Sequence, residues 1–150
     1  MVLNYKYGPS FDLLPQHDFS VIERTGSEYL IITHDDFYDE IKPLANWKEK
    51  KGVTTTIVKT SDINALGPTA AEIQTYISDA YRTWSPAPSY VLLVGDSEFI
   101  PTNYVTEHPS DSHGGFEIAS DLHYVTVDGE DYFPDMYIAV SYTHLRAHET

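Results

Sequence analysis

The residues best suited to chemistry in this chain are carboxylates. Asp96 follows directly on an apolar run, Tyr90-Val91-Leu92-Leu93-Val94-Gly95, and a second acidic group, Asp128, Glu130, Asp131 and Asp135, stands within Val127–Tyr137. Calcium takes about six to eight oxygens, commonly several carboxylates with a backbone carbonyl. Asp128, Asp131 and Asp135, with a carbonyl near Phe133, are close enough in sequence to wrap one ion. Asp96 would add a fourth carboxylate if the fold brings its strand end to the turn. The spacing is not that of an EF-hand loop, so on spacing alone a solvated acidic turn stays open beside the metal site.

Other chemistries are poorly provided for. The chain has no cysteine, which excludes disulfides, zinc–thiolate sites and a thiol nucleophile among these residues. His113-Gly114 follows Glu107-His-Pro-Ser-Asp-Ser112 and not an apolar strand, so it reads as a loop histidine. His108 and His113 lack further partners at zinc-ligand spacing. His123 alternates with apolar neighbours and reads as an outward-facing or hydrogen-bonded residue. No residue of this chain is assigned a catalytic role.

The elements that must position the carboxylates follow from periodicity. Tyr29–Ile32, Val53–Val58 and Tyr90–Val94 are short apolar or β-branched runs, read as buried strands. Between the first two, Phe37, Ile41, Leu44 and Ala45 recur at helical spacing, with Asp35 or Asp36 as cap, Pro43 as a kink or late start, and Gly52 as the stop. Between the second and third, Thr69-Ala70-Ala71-Glu72 is a capping box, and Ile73, Tyr76, Ile77, Ala80, Tyr81 and Trp84 form one apolar stripe. Strand–helix–strand–helix–strand with right-handed crossovers predicts a parallel sheet with helices on its faces. Residues 97–120 read as a long polar loop. Leu122–Val127 and Met136–Val140 read as a short antiparallel, hairpin-like pair around the acidic turn. The expected division is a lead-in segment over 1–27, one α/β domain over 28–140, and a non-native tail over 141–150. Composition shifts abruptly in that tail, so His144 and His148 receive no metal role.

Three blocks carry a family likeness: Tyr90-Val-Leu-Leu-Val-Gly-Asp96, Ser120-Asp-Leu-His-Tyr124, and Val127-Asp-Gly-Glu-Asp-Tyr-Phe-Pro-Asp-Met-Tyr137. Together with Trp47–Gly52 and Thr69–Tyr81 they resemble the gingipain family of cysteine peptidases, more the lysine-specific type than the arginine-specific ones. The resemblance covers about residues 28–140. It implies a three-layer caspase-like or flavodoxin-like half-domain, the amino-terminal part of a catalytic domain. It also implies structural calcium bound by Asp96, Asp128, Asp131, the Phe133 carbonyl and Asp135. The turn has one extra residue relative to the family, and Asp135 stands where the relative has Glu, so Glu130 is a possible substitute ligand. The family's catalytic His and Cys would lie beyond this segment, which is therefore expected to be inactive alone. Protein substrates, an extracellular or cell-surface location and the missing second half as partner are implied in the same way. This chain itself contains no signal-peptide pattern.

Composition fits that reading. A net charge of −14, with 23 acids against 9 Lys and Arg, argues against nucleic acid as a partner. No run approaches the roughly 18 apolar residues of a membrane span. Two alternatives compete: a non-catalytic extracellular binding or adhesion domain, and a phosphoacceptor receiver-like module built on Asp35, Asp36 and Asp96. The latter lacks a late strand that delivers a lysine.

Overall fold

Consecutive buried residues along Tyr29–Thr33 and Tyr90–Val94 mark a sheet covered on both sides. The computed structural model describes residues 26–107, 116–129 and 131–141. Strands β1 (Tyr29–Thr33), β2 (Thr55–Lys59), β3 (Tyr90–Val94) and β6 (Tyr137–Ser141) form one sheet in the order β2-β1-β3-β6, with every pairing parallel. Successive side chains of a strand point to opposite faces. Leu30, Ile32, Val91 and Leu93 accordingly pack on helix α3 (Ala70–Thr83), which follows the single-turn helix α2 (Thr60–Ile63), against Ile73, Ile77 and Ala80. Ile31, Leu92 and Val94 face helix α1 (Tyr38–Lys50), against Phe37, Ile41 and Ala45. The result is the expected helix–sheet–helix layering.

Helix α3 starts where the sequence places it. Thr69 Oγ1 accepts from the Glu72 amide at 3.3 Å, and Glu72 Oε2 accepts from the Thr69 amide at 2.7 Å. These bonds satisfy donors at the first turn that have no partner within the helix. The Thr69 amide, the Thr69 hydroxyl and the Asn64 amide hold the Glu72 carboxyl below the usual carboxylate range. A depressed folded-state pKa contributes stability that is present above the unfolded value and lost as pH falls through the folded one. Chemical denaturation at a series of pH values is therefore expected to show Glu72→Gln losing less stability than wild type on acidification. Parallel curves for the two proteins would remove Glu72 from the acid limb.

Several expected elements differ. Helix α1 runs through Pro43 and is preceded by a 3-10 turn, Asp35–Phe37. His34 caps that turn, its Nδ1 accepting from the Asp36 amide at 3.2 Å, so neither Asp35 nor Asp36 caps α1. The antiparallel pair exists, but it is β4 (Tyr104–Glu107) with β5 (Phe116–Ala119), inside the stretch read as a loop. Residues 122–127 are not its partner. Leu122–Val125 form a 3-10 helix in which the adjacent Tyr124 and Val125 are both buried, a pattern that a strand with one face in solvent cannot supply. Their backbone is engaged by α3: Gln74 Nε2 donates to the His123 carbonyl at 2.8 Å, and Arg82 Nη2 to the Val127 carbonyl at 2.7 Å. β6 pairs with β3 in parallel and not in a hairpin. It also includes Ser141, whose carbonyl accepts from the Gly95 amide, so the domain extends one residue into the segment set aside as a tail. At the other end, Ser27 is buried, so the packed structure begins before residue 28.

Candidate functional site

Asp96 stands where β3 stops. Gly95 precedes it at φ +131°, and a Cβ there would lie 2.8 Å from Cβ of Phe99, so only glycine permits this close turn. The Asp96 carbonyl accepts from the amides of Phe99 and Ile100, and its Oδ1 accepts from the Glu98 amide at 3.0 Å. This self-contained turn presents the carboxylate to a cleft of about 320 Å³ that also includes Ser97, Thr102, Tyr104 and Asp121. Asp121 was not singled out from the sequence, although it stands in the Ser120–Tyr124 block that carries the family likeness.

The acidic turn is organised around Asp135. Its Oδ2 accepts from the amides of Val127 at 2.8 Å and Asp128 at 2.9 Å, and its own amide donates to the Val125 carbonyl. Asp131 Oδ1 accepts from the Phe133 amide at 3.0 Å, which folds the next three residues back. Tyr132 and Phe133 are largely exposed. Asp128, Asp131, Phe133 and Asp135 therefore share one turn, while Glu130 lies outside the described residues.

Asp96 lies toward the other edge of the sheet from Asp135. β6 runs parallel to β3 with Tyr137 beside Tyr90 and Ser141 beside Val94. Asp135 thus precedes the sheet's amino edge, whereas Asp96 follows its carboxyl edge. A strand of 5 residues separates the two levels, which is about 13 Å. Among the described residues, no three His, Asp or Glu side chains form a ready metal-ligand group.

The other sequence candidates fall as follows. Asp35 turns toward the end of β2: Ser61 Oγ donates to its Oδ1 at 2.6 Å, and Lys59 Nζ lies 3.4 Å away. The Ser61 hydroxyl, with lesser help from the Ser61 amide and Lys59, holds the Asp35 carboxyl below its ordinary range. Asp35 and Asp96 line different clefts, against the convergent acidic pocket of a receiver module. The His123 ring Nδ1 lies 3.5 Å from Gln74 Nε2. His108, His113, His144 and His148 lie outside the described residues. Tyr124 is fully buried, and its hydroxyl donates to the Pro101 carbonyl. Burial, with a smaller contribution from Asp121, pushes its pKa up to about 12, so it serves as a neutral tie between the 3-10 helix and the segment after β3.

A four-stranded parallel sheet with helices on both faces and a small antiparallel pair alongside defines part of a caspase-like α/β domain. The chain belongs to peptidase family C25, whose model matches residues 22–139. It is 30% identical over 123 residues to Lys-gingipain of Porphyromonas gingivalis, an alignment that covers 80% of this chain and 7% of that protein. Gingipain R2 of the same organism is 28% identical over 118 residues, covering 79% of this chain and 14% of the relative. Among solved structures, the Arg-specific cysteine proteinase gingipain R superposes with a TM-score of 0.65 at 26% identity, over 81% of this chain and 26% of that one. The complex of the pro- and mature domains of the Porphyromonas gingivalis enzyme RgpB matches with the same TM-score, covering 25% of its chain. The chain thus spans a small fraction of each relative it matches.

Proposed function

We propose that this chain is the amino-terminal part of the catalytic domain of a secreted, gingipain-like cysteine endopeptidase, and that it supplies scaffold and not nucleophile. The observation that supports this most is the pairing of a family match over residues 22–139 with a chain that has no cysteine. Thiol catalysis needs a thiolate to attack the scissile carbonyl and a base to handle its proton. In this reading both come from the remainder of the parent, the partner that completes the sheet beyond β6, and the substrates are proteins. Tyr29, Tyr90 and Tyr137 stack in one row across the sheet, and Tyr137 at its outer end is largely exposed, which suits further packing there.

The calcium reading is kept as part of the proposal, with a smaller ligand set. Asp128, Asp131, the Phe133 carbonyl and Asp135 are the groups that would hold the ion, and Asp96 is not among them. Asp135 accepts its two amide bonds through Oδ2, and Oδ1 accepts none among the described residues, so one oxygen is left for a cation. A bound ion would offset repulsion among these carboxylates and brace the entry into β6.

The test of the peptidase reading is a pair of assays on lysine- and arginine-containing peptides under reducing conditions. This chain alone is expected to hydrolyse neither. The protein encoded by the whole parent gene is expected to cleave at least one, and to lose that activity when its thiols are alkylated. A parent without thiol-dependent cleavage would favour the binding-domain alternative.

A further inference from the structure

Asp128-Gly129 is the only Asp–Gly pair in the chain, and its setting leaves it open to reaction. We infer that Asp128 is a site of spontaneous isomerisation, at which the folded protein converts an aspartyl linkage to an isoaspartyl one. The reaction needs the backbone nitrogen of the following residue to reach the aspartate Cγ. A side chain on that following residue obstructs the approach, and glycine has none.

The local geometry favours it in three ways. Both residues are exposed. Beyond its two chain neighbours, the nearest atoms to the vacant Cβ position of Gly129 are Oδ2 of Asp131 at 3.9 Å and the Asp131 amide at 4.0 Å, so the residue that carries the attacking nitrogen is uncrowded on that side. The groups that would resist are also unengaged: among the described residues the Asp128 carboxylate joins no hydrogen bond or ion pair, and the Gly129 amide donates none. The Asp128 amide, by contrast, is held by Asp135 at 2.9 Å, which anchors the turn without occupying the attacking nitrogen.

The balance is that of a cyclisation followed by hydrolysis. The Gly129 nitrogen attacks Cγ of the protonated Asp128 carboxyl, the N–Cγ bond forms, and the C–OH bond breaks. The hydroxyl leaves as water with the amide proton. Solvent water then opens the five-membered imide. Cleavage at the Cγ–N bond regenerates aspartate, and cleavage at the bond to the α-carbonyl carbon leaves the chain running through the side chain. The product has an extra methylene in the backbone and an α-carboxylate in place of the β-carboxylate. It would displace the Asp128 amide from Asp135 and move the charge within the turn.

The test ages the folded chain in a chelating buffer, which keeps the outcome separate from the calcium proposal, with folding verified by circular dichroism. A guanidinium-unfolded sample is aged beside it. Isoaspartate is measured by isoaspartyl methyltransferase labelling and located by electron-transfer fragmentation. The expected result is accumulation at 128, at a rate within an order of magnitude of the unfolded chain, and none at the exposed Asp36, Asp62 and Asp131, whose following residues are Phe, Ile and Tyr. A folded sample that stays unmodified at 128 while the unfolded one converts would overturn the inference. Equal conversion at the other exposed aspartates would do the same.

Discussion

Replacing Ile32 by alanine is expected to lower the unfolding free energy by about 2–5 kcal/mol, the range for deleting a buried branched side chain and leaving a cavity. Ile32 is fully buried on β1, between Val58 of β2 and Leu93 of β3. It points into the cluster formed with Ile73 and Ile77 of α3. Strands on both sides and a helix above leave little freedom to collapse into the space. For a domain whose total stability is of order 5–15 kcal/mol, such a loss removes much of the margin. Ile57→Ala is the comparison, because Ile57 sits half-buried on the edge strand β2. Urea titration of both variants should give the larger midpoint shift for Ile32. Equal shifts would contradict the placement of β1 at the centre of the sheet.

Asp135→Ala is expected to cost about 1.5–3 kcal/mol, the range for hydrogen bonds that involve a charged group. It strands the amides of Val127 and Asp128, the first of them on a buried residue. Asp135→Asn retains an oxygen that can accept those amides and loses only the charge, so it should stay close to wild type without added ions. The two variants therefore separate the structural role of the carboxylate from the proposed metal role. Under that proposal calcium raises the wild-type melting temperature, by a free energy of RT ln(1 + [L]/Kd). Asp135→Asn and Asp131→Asn should lose most of this gain. Asp96→Asn should keep it, because Asp96 lies beyond the opposite edge of the sheet. Magnesium should act more weakly, since it demands tight octahedral geometry and gives up water reluctantly. A folded wild-type protein whose melting temperature does not move in saturating calcium would reduce the turn to a solvated acidic loop. A shift lost in Asp96→Asn but kept in Asp131→Asn would show that the ion sits at the carboxyl edge instead.

The amino-acid sequence by itself determined the elements whose signals are local. β1, β3 and the start of α3 lie where apolar runs and the Thr69–Glu72 capping box place them, because strand burial and helix initiation are decided within a few residues. The parallel order of the first three strands also follows, since right-handed crossovers leave few alternatives. The family likeness rests on the same kind of contiguous blocks, and those match peptidase family C25.

Tertiary structure decided what depends on partners distant in sequence. Leu122–Val127 and Tyr104–Glu107 are both short and apolar-rich, and their composition does not tell a 3-10 turn from a strand. Side chains of α3, Gln74 and Arg82, claim the carbonyls of the first, while the second pairs with Phe116–Ala119. The candidate site turned on one such choice. A hairpin around the acidic turn would leave the position of Asp96 open, but parallel pairing of β6 with β3 sends the turn to the amino edge and leaves Asp96 at the carboxyl edge. Strand direction is a property of the pair and not of either segment, so the sequence supplied all the carboxylates and only the fold divided them.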